Sequence, residues 1–414
     1  MSSKRIKVLQ TCEELTGDGG SIAVQRLHFG MKKVGIDARV LCVIKKIESP
    51  DIKQLQPSRI QRRMDLMLQR FSEGVGLNRL LDVTSFRLAK HKAVLDNDIL
   101  ILNAPSYGFC SFLAYPLLTK GRPTLFPVKD MWSFTGHCYH SLECGRWKIG
   151  CGNCPHPDLY PPIRRDNTHL EWKLKDWAYS HSHLTVIVPS TWMMEQVKQS
   201  MLNRFPIHHI PHGVDTEIYR PMDTEKCRAT LGIPKGKKVI MFLAANLANR
   251  LKGGDLLMTA IRRLPASLKG EIVMLLLGHK GDVTVDSPDI RTIHLGYVAS
   301  DYLKATYYSA ADLFVHPTRA DVFPYAVLES LACGTPIVSF RIGGVPDAIR
   351  PGITGYLAEP ENAEELSDLI VQLLEDESLC LDMGRRCREI AIGEYSLDLQ
   401  VQRHIDLCHL LLKQ

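Results

Sequence analysis

The chain has 414 residues, 45% hydrophobic and 23% charged, which supports an ordinary buried core and excludes disorder, collagen-like repeats and coiled coil as the main architecture. At about 150 residues per domain the length predicts two to three domains, and apolar runs no longer than residues 272–277 exclude a membrane-spanning helix, which needs about 20 residues. The formal net charge of +6 is uneven, with 29 Lys and Arg against 19 Asp and Glu in residues 1–215; such a surplus points to a phosphorylated ligand or an anionic membrane face before nucleic acid, or to nothing more than a well-solvated surface.

The N-terminus through Gln10 lacks a long apolar stretch ending in a small-residue cleavage site. It reads as the first strand of a domain, so the expected compartment is the cytoplasm, with the 12 cysteines mostly reduced. The apolar run at 6–9, the turn Thr16-Gly17-Asp18-Gly19-Gly20-Ser21, a helix-period run ending near Gly35 and a strand at 37–44 form the opening of a doubly wound parallel sheet. Runs at 99–102, 124–128 and 184–188 continue it as strands buried on both faces. Between them Ile60, Met64, Met67, Leu68 and Phe71 recur at helical spacing, with Arg59, Arg62, Arg63 and Arg70 on the same helix. Such a helix most often packs its apolar stripe on the domain core; the other reading is a surface helix on an anionic membrane.

Cys138, Cys144, Cys151 and Cys154 form an insert over 137–155 with the pattern Cys-x5-Cys-x6-Cys-x2-Cys. The last pair has the spacing of half a tetrahedral zinc site, while the first pair is looser. Structural zinc, reduced thiols and disulfides all stay open, with His140 a candidate replacement ligand. A second unit is expected from about residue 216, with strands at 238–243, 272–277, 292–295, 312–315 and 336–339 and a helix carrying Leu256 to Leu264. Two such sheets in one chain imply a cleft toward which strand carboxyl ends face. The run 397–412 reads as a final helix with Leu397, Val401, Ile405, Cys408 and Leu412 on one face.

The stretch from Asp321 to Val338 carries the most chemistry. Asp321 falls in a loop after a strand, Pro324 suits the first turn of a helix, Glu329 lies inside that helix and Gly334 ends it. Free N–H groups at Phe323, Tyr325 and beyond suit sugar or phosphate oxygens, and a carboxylate accepts two hydrogen bonds from vicinal hydroxyls. On spacing alone a capping Asp and a surface Glu account for the pair equally well.

This stretch resembles the acid–x7–acid signature of the family 4 retaining glycosyltransferases, with Asp321 in place of the usual first Glu, followed by Leu-Ala-Cys-Gly-Thr-Pro-Ile-Val. The resemblance implies the GT-B fold: two Rossmann-like doubly wound α/β domains facing a cleft, an acceptor domain over 1–215, a nucleotide-sugar domain over 216–395 and a helix over 396–414 crossing back. It implies that Glu329 binds ribose hydroxyls, that Asp321 contacts the transferred sugar, and that the loop at Phe323 and Pro324 lines the donor. Asn249-Arg250-Leu251-Lys252-Gly253-Gly254 resembles the family's phosphate clamp, led by Lys252 with Arg250 beside it; Leu247 stands where many relatives have Arg. Gly19-Gly20 matches the first Gly-rich loop near the donor phosphates, and Gly343-Gly344 matches the part that shapes the base and phosphate end.

Lys129-Asp130-Met131-Trp132 and the cysteine insert resemble the colanic-acid-type polysaccharide glycosyltransferases, with Lys129 where that subgroup has His and His137 where it often has Gly. Asp130 and His137 are acceptor-site candidates on that basis. The implied reaction retains configuration. Lys252, Arg250 and helix N-termini carry the leaving-group charge without a divalent metal, and no cofactor is required beyond the nucleoside-diphosphate sugar. The expected acceptor is a glycan or lipid-linked saccharide in polysaccharide biosynthesis, with peripheral membrane contact through the basic half and no nucleic-acid partner. A nucleotide-sugar epimerase or other GT-B enzyme, and a non-catalytic nucleotide-sugar or glycan-binding module, are the alternatives. A dinucleotide oxidoreductase is disfavoured, because the first turn lacks G-x-G-x-x-G.

Overall fold

The computed structural model describes residues 5–15, 17, 19–77, 80–103, 110–279 and 289–413. Met1 to Lys4, and Thr16 and Asp18 of the first Gly-rich turn, lie outside this set. The chain forms two units: residues 1–211 together with 401–414, and residues 212–400.

The first unit is built on seven parallel strands, β1 (Lys7–Cys12), β2 (Asp37–Cys42), β3 (Ile52–Gln54), β4 (Ile99–Leu102), β5 (Thr124–Pro127), β6 (Thr185–Val188) and β7 (Ile207–His209), in the order β3-β2-β1-β4-β5-β6-β7. Residues of β4, β5 and β6 are buried throughout, as unbroken apolar runs in a sheet covered on both faces require. Helix Gly19–Lys33 buries Ala23, Val24, Leu27 and Met31. Their spacing makes one stripe, and the chain leaves it through Gly35 at φ 86°, a left-handed residue that glycine adopts without strain.

The second unit carries six parallel strands, β8 (Lys238–Asn246), β9 (Ile272–His279), β10 (Arg291–Gly296), β11 (Leu313–His316), β12 (Ile337–Phe340) and β13 (Gly355–Ala358), in the order β10-β9-β8-β11-β12-β13. Ile240, Phe242, Met274, Leu276, Val315 and Val338 meet Leu257 and Ile261 of helix Gly254–Arg263 and Leu366 and Ile370 of helix Ala363–Glu375 in one core. Both sheets reverse direction once, between β1 and β4 and between β8 and β11. A crevice opens outside the carboxyl ends of the strands at such a point, and ligands of doubly wound sheets bind there.

Two local expectations change. The helix after β11 runs Tyr325–Ala332, with Pro324 as its N-cap instead of a residue of its first turn. Helix Arg59–Gly74 buries Ser72 alone, so its apolar stripe is not the one packed on the core.

Candidate functional site

The loops leaving β8 and β11 meet at the switch point of the second sheet. After β8, Asn249 caps a short 3-10 turn, Arg250–Lys252, by accepting from Leu251 N at 3.0 Å. The turn closes on Gly253 at φ 70°, where a Cβ would lie 1.7 Å from Pro317 O, so only glycine lets the clamp loop press against the strand that precedes Asp321. Leu251 O accepts from Thr318 Oγ1 at 3.0 Å and from Arg319 N at 2.8 Å, which ties the two loops together.

This brings Lys252 Nζ to 2.7 Å from Asp321 Oδ2. His316, the last residue of β11, places Nε2 3.3 Å from the same oxygen. Burial would raise the Asp321 carboxyl, but the Lys252 charge and the His316 ring outweigh it and hold the group well below the usual carboxylate range. Burial keeps His316 below its ordinary value in spite of Asp321, so the ring is neutral at pH 7. The result is one ammonium and one carboxylate, partly open to solvent, above a neutral buried imidazole.

Gly343 supports this carboxylate from behind. It has φ 54°, and Gly344 N donates to Asp321 O at 3.1 Å. Phe323 and Tyr325 are buried, with His212 stacked on Tyr325 at 4.7 Å between ring centroids. Glu329 is buried one face along the following helix, with Oε2 3.5 Å from Tyr308 Oη and Oε1 3.7 Å from Lys304 Nζ. The helix ends as its sequence demands: Gly334 at φ 74° and Thr335 return N–H groups to Leu331 O and Ser330 O, the double bond of a glycine-terminated helix.

Arg250 is exposed, and its carbonyl accepts from Arg319 Nη1 at 2.7 Å. The sequence reading passed over Arg319. It bridges Asp255 through two bonds of 2.7 and 2.8 Å and Glu361 at 2.9 Å, and so fixes the clamp loop to the helix that follows. His316 was passed over as well, because a His closing an apolar strand run looks like a packed ring until its partner is placed.

The first unit shows the same logic at its own switch point. Gly19 and Gly20 open the helix after β1, and a Cβ at Gly19 would meet nothing within 4 Å. Lys129, after β5, donates to Gly20 O at 3.2 Å and to Asn103 Oδ1 at 2.8 Å after β4. Asp130 caps the next turn through Trp132 N at 2.9 Å. Beyond the carboxyl ends of β2, β3 and β5 lies a cavity of about 530 Å³ whose walls include Gln54, Arg62, Asp65, Asp82, Ser111 and Trp132. Burial and the neighbouring Asp65 push Asp82 up to about 6, and the buried Trp132 indole N–H has no partner among the described residues.

Cys138, Cys144, Cys151 and Cys154 are free thiols around one cavity of about 20 Å³, together with Gly136, His137 and Thr168. His137 Nε2 lies 3.2 Å from Cys154 Sγ and its Nδ1 3.0 Å from Pro161 O, and Gly136 N donates to Cys151 Sγ at 3.2 Å. Burial pushes Cys138 up to about 12 and Cys151 up to about 11, so both are protonated at neutral pH. Among the described residues no group of three or more His, Cys, Asp and Glu has the arrangement to hold a metal ion. The four thiols are unbridged, and Cys151 and Cys154 pack against a backbone donor and the His137 ring.

Residues 223–390 match the family model of the Glycosyl transferases group 1. D-inositol 3-phosphate glycosyltransferase 1 of Catenulispora acidiphila is 32% identical over 184 residues, 41% of this chain and 44% of that protein. The match thus spans under half the length of that curated relative. Sucrose-phosphate synthase of Thermosynechococcus elongatus superposes with a TM-score of 0.69 at 19% identity, over 99% of this chain and 100% of the other. HepE of Anabaena, solved with UDP and glucose, gives a TM-score of 0.69 at 14% identity over 98% and 100%. The fold is that of the two-sheet GT-B glycosyltransferases.

Proposed function

We propose that this chain is a retaining glycosyltransferase that takes a sugar from a nucleoside diphosphate and gives it to a glycan or lipid-linked saccharide in polysaccharide biosynthesis, as the resemblance to the colanic-acid-type enzymes implies. One observation carries the reading: Lys252, Asp321 and His316 converge at the switch point of the second sheet, where the family-matched segment lies. A departing nucleoside diphosphate gathers negative charge on its leaving oxygens. Lys252, held on a rigid turn, neutralises that charge as it develops, with Arg250 beside it. The anomeric carbon becomes oxocarbenium-like; Asp321 stays ionised and accepts from a sugar hydroxyl, orienting the ring. Glu329, whose oxygens face Tyr308 and Lys304, also accepts from a ribose hydroxyl, since a carboxylate offers about four acceptor sites.

The donor class follows the solved relatives, since HepE was crystallised with UDP and glucose and with UDP-glucose. In the first unit, Asp130 and the walls of the larger cavity take the acceptor side, and the family resemblance keeps Gly19 and Gly20 for the donor phosphates. A phosphorylated polyol is a second acceptor reading, favoured by the inositol-phosphate relatives and the basic surplus in residues 1–215.

Thermal unfolding against a panel of nucleoside-diphosphate sugars tests the donor site, because a ligand that binds only the folded chain raises the midpoint. The expected result is a shift with one donor that Lys252→Ala removes. No shift and no transfer with any donor overturns the proposal, and normal transfer by Lys252→Ala rejects the role given to Lys252.

A further inference from the structure

Helix Arg59–Gly74 is built inside out. Its start is firmly specified: Ser58 Oγ accepts from Gln61 N at 3.3 Å and Gln61 Oε1 accepts from Ser58 N at 2.8 Å, a capping box. The face turned to the protein is polar. Asp65 accepts from Val83 N at 2.7 Å and from the Thr84 hydroxyl, and Ser72, the one buried residue, returns its hydroxyl to Leu68 O at 2.9 Å. The face turned away is apolar: Ile60, Met64, Met67 and Phe71 are 72%, 42%, 64% and 64% exposed. At about 100° per residue these four fall within a strip roughly 60° wide. Arg59, Arg63 and Arg70 lie along one border of that strip, and the helix's acids, Asp65 and Glu73, are both off it.

A contiguous exposed strip of four large apolar side chains is costly in water and marks an interaction surface. Its border decides the partner. Arginines beside a smooth apolar strip that itself holds no acid suit a layer that is greasy within and negative at its surface. Protein interfaces, by contrast, usually have polar rims of both signs. We infer that this outward face docks on a lipid bilayer carrying anionic headgroups, with Ile60, Met64, Met67 and Phe71 among the acyl chains and Arg59, Arg63 and Arg70 at the phosphates. The inward face of the same helix supplies Arg62 and Asp65 to the larger cavity, so docking would hold that cavity at the membrane surface. Membrane docking does not require the donor-site assignment, and the two fail separately.

The test is flotation of the full chain with vesicles of phosphatidylcholine alone or with about a third phosphatidylglycerol. Binding should be strong only with phosphatidylglycerol and should weaken as salt is raised. Met67→Glu/Phe71→Glu should abolish it. Arg59→Gln/Arg63→Gln/Arg70→Gln should weaken it by about fivefold per arginine. All these side chains are exposed, so both variants should keep the wild-type melting temperature and the donor-induced shift. Equal flotation of wild type and Met67→Glu/Phe71→Glu, or no flotation of the wild type, overturns the inference. A wild-type dimer that Phe71→Glu makes monomeric also overturns it, because a second copy would then cover the face.

Discussion

Gly343 lies against the backbone of Asp321 so closely that a Cβ on it would sit 2.1 Å from the Asp321 carbonyl oxygen. With φ at 54° the position is also left-handed, so a side chain there meets two penalties at once. Gly343 thereby shapes the loop that presents the Asp321 carboxylate.

Gly343→Ala should therefore cost about 1–3 kcal/mol of stability and lower transfer by at least tenfold, as the Asp321 loop backs away from Lys252. Gly19→Ala is the control. A Cβ there meets nothing within 4 Å, so its melting temperature should stay near wild type. If the Gly19 backbone approaches the ligand, the change should appear as a raised KM for donor or acceptor. Equal activity and stability of Gly343→Ala and wild type would show that the loop yields without consequence.

Asp321 gives the second unit an acid dependence with a definite sign. Its folded pKa is held below the unfolded value of about 3.9. The Lys252 contact then contributes fully above about pH 4 and fades as the pH falls further, when the unfolded chain takes up the proton first. Urea unfolding between pH 6 and pH 2.5 should show this loss in wild type and a shallower one in Lys252→Ala. A steeper loss in the variant would mean that Lys252 does not set the Asp321 charge.

Much of the strand pattern was legible because a parallel sheet covered on both faces leaves unbroken apolar runs, as at 99–102, 272–277 and 313–315. β3 and β13 were not legible: β3 is three residues long, and β13 is a four-residue strand opening on Gly355. Asp321, Glu329 and Lys252 could be named from the resemblance, but their geometry could not. The convergence of Lys252 and Asp321, 69 positions apart, follows from which loops leave the switch point. The direction of helix Arg59–Gly74 was open for a similar reason, since periodicity shows that a stripe exists and not which way it points. The cysteine spacing could not show that His137 approaches Cys154, because a Cys-x2-Cys pair fixes sequence distance only.

Glu171 and Lys175 form a pair on helix Thr168–Ser180 with 3.2 Å between Oε1 and Nζ and no exposure of either side chain. Lys175 Nζ also donates to Trp132 O at 2.8 Å and Thr135 O at 3.0 Å, and lies 3.7 Å from the Trp132 ring centroid. It thereby pins the turn that Asp130 caps. Removing one buried partner strands the other's charge, which costs about 3–5 kcal/mol. Lys175→Met should lose that much, and Glu171→Leu/Lys175→Met should recover part of it. All 5 tryptophans lie between Trp132 and Trp192, so urea unfolding followed by tryptophan fluorescence reports this unit alone. A double variant less stable than Lys175→Met would show that the carboxylate matters more through its other contacts than through the pair.

His28 gives the first unit an acid sensitivity of its own, at milder pH than that of Asp321. It sits in helix Gly19–Lys33 at 1% exposure, and neither ring nitrogen has a hydrogen-bond partner among the described residues. Burial, with Lys32 adding to it and Asp51 opposing, lowers its pKa from 6.5 to about 4. The folded value is the depressed one, so the neutral ring's contribution is complete above about pH 6.5 and falls away as the pH approaches 4. At 1.36 kcal/mol per pKa unit the loss amounts to about 3 kcal/mol at most. Tryptophan-monitored unfolding should show wild type losing that stability between pH 7 and pH 4, and His28→Leu losing much less over the same interval. Parallel curves for the two proteins would mean that the ring finds a proton acceptor as it titrates, and that burial alone does not hold it neutral.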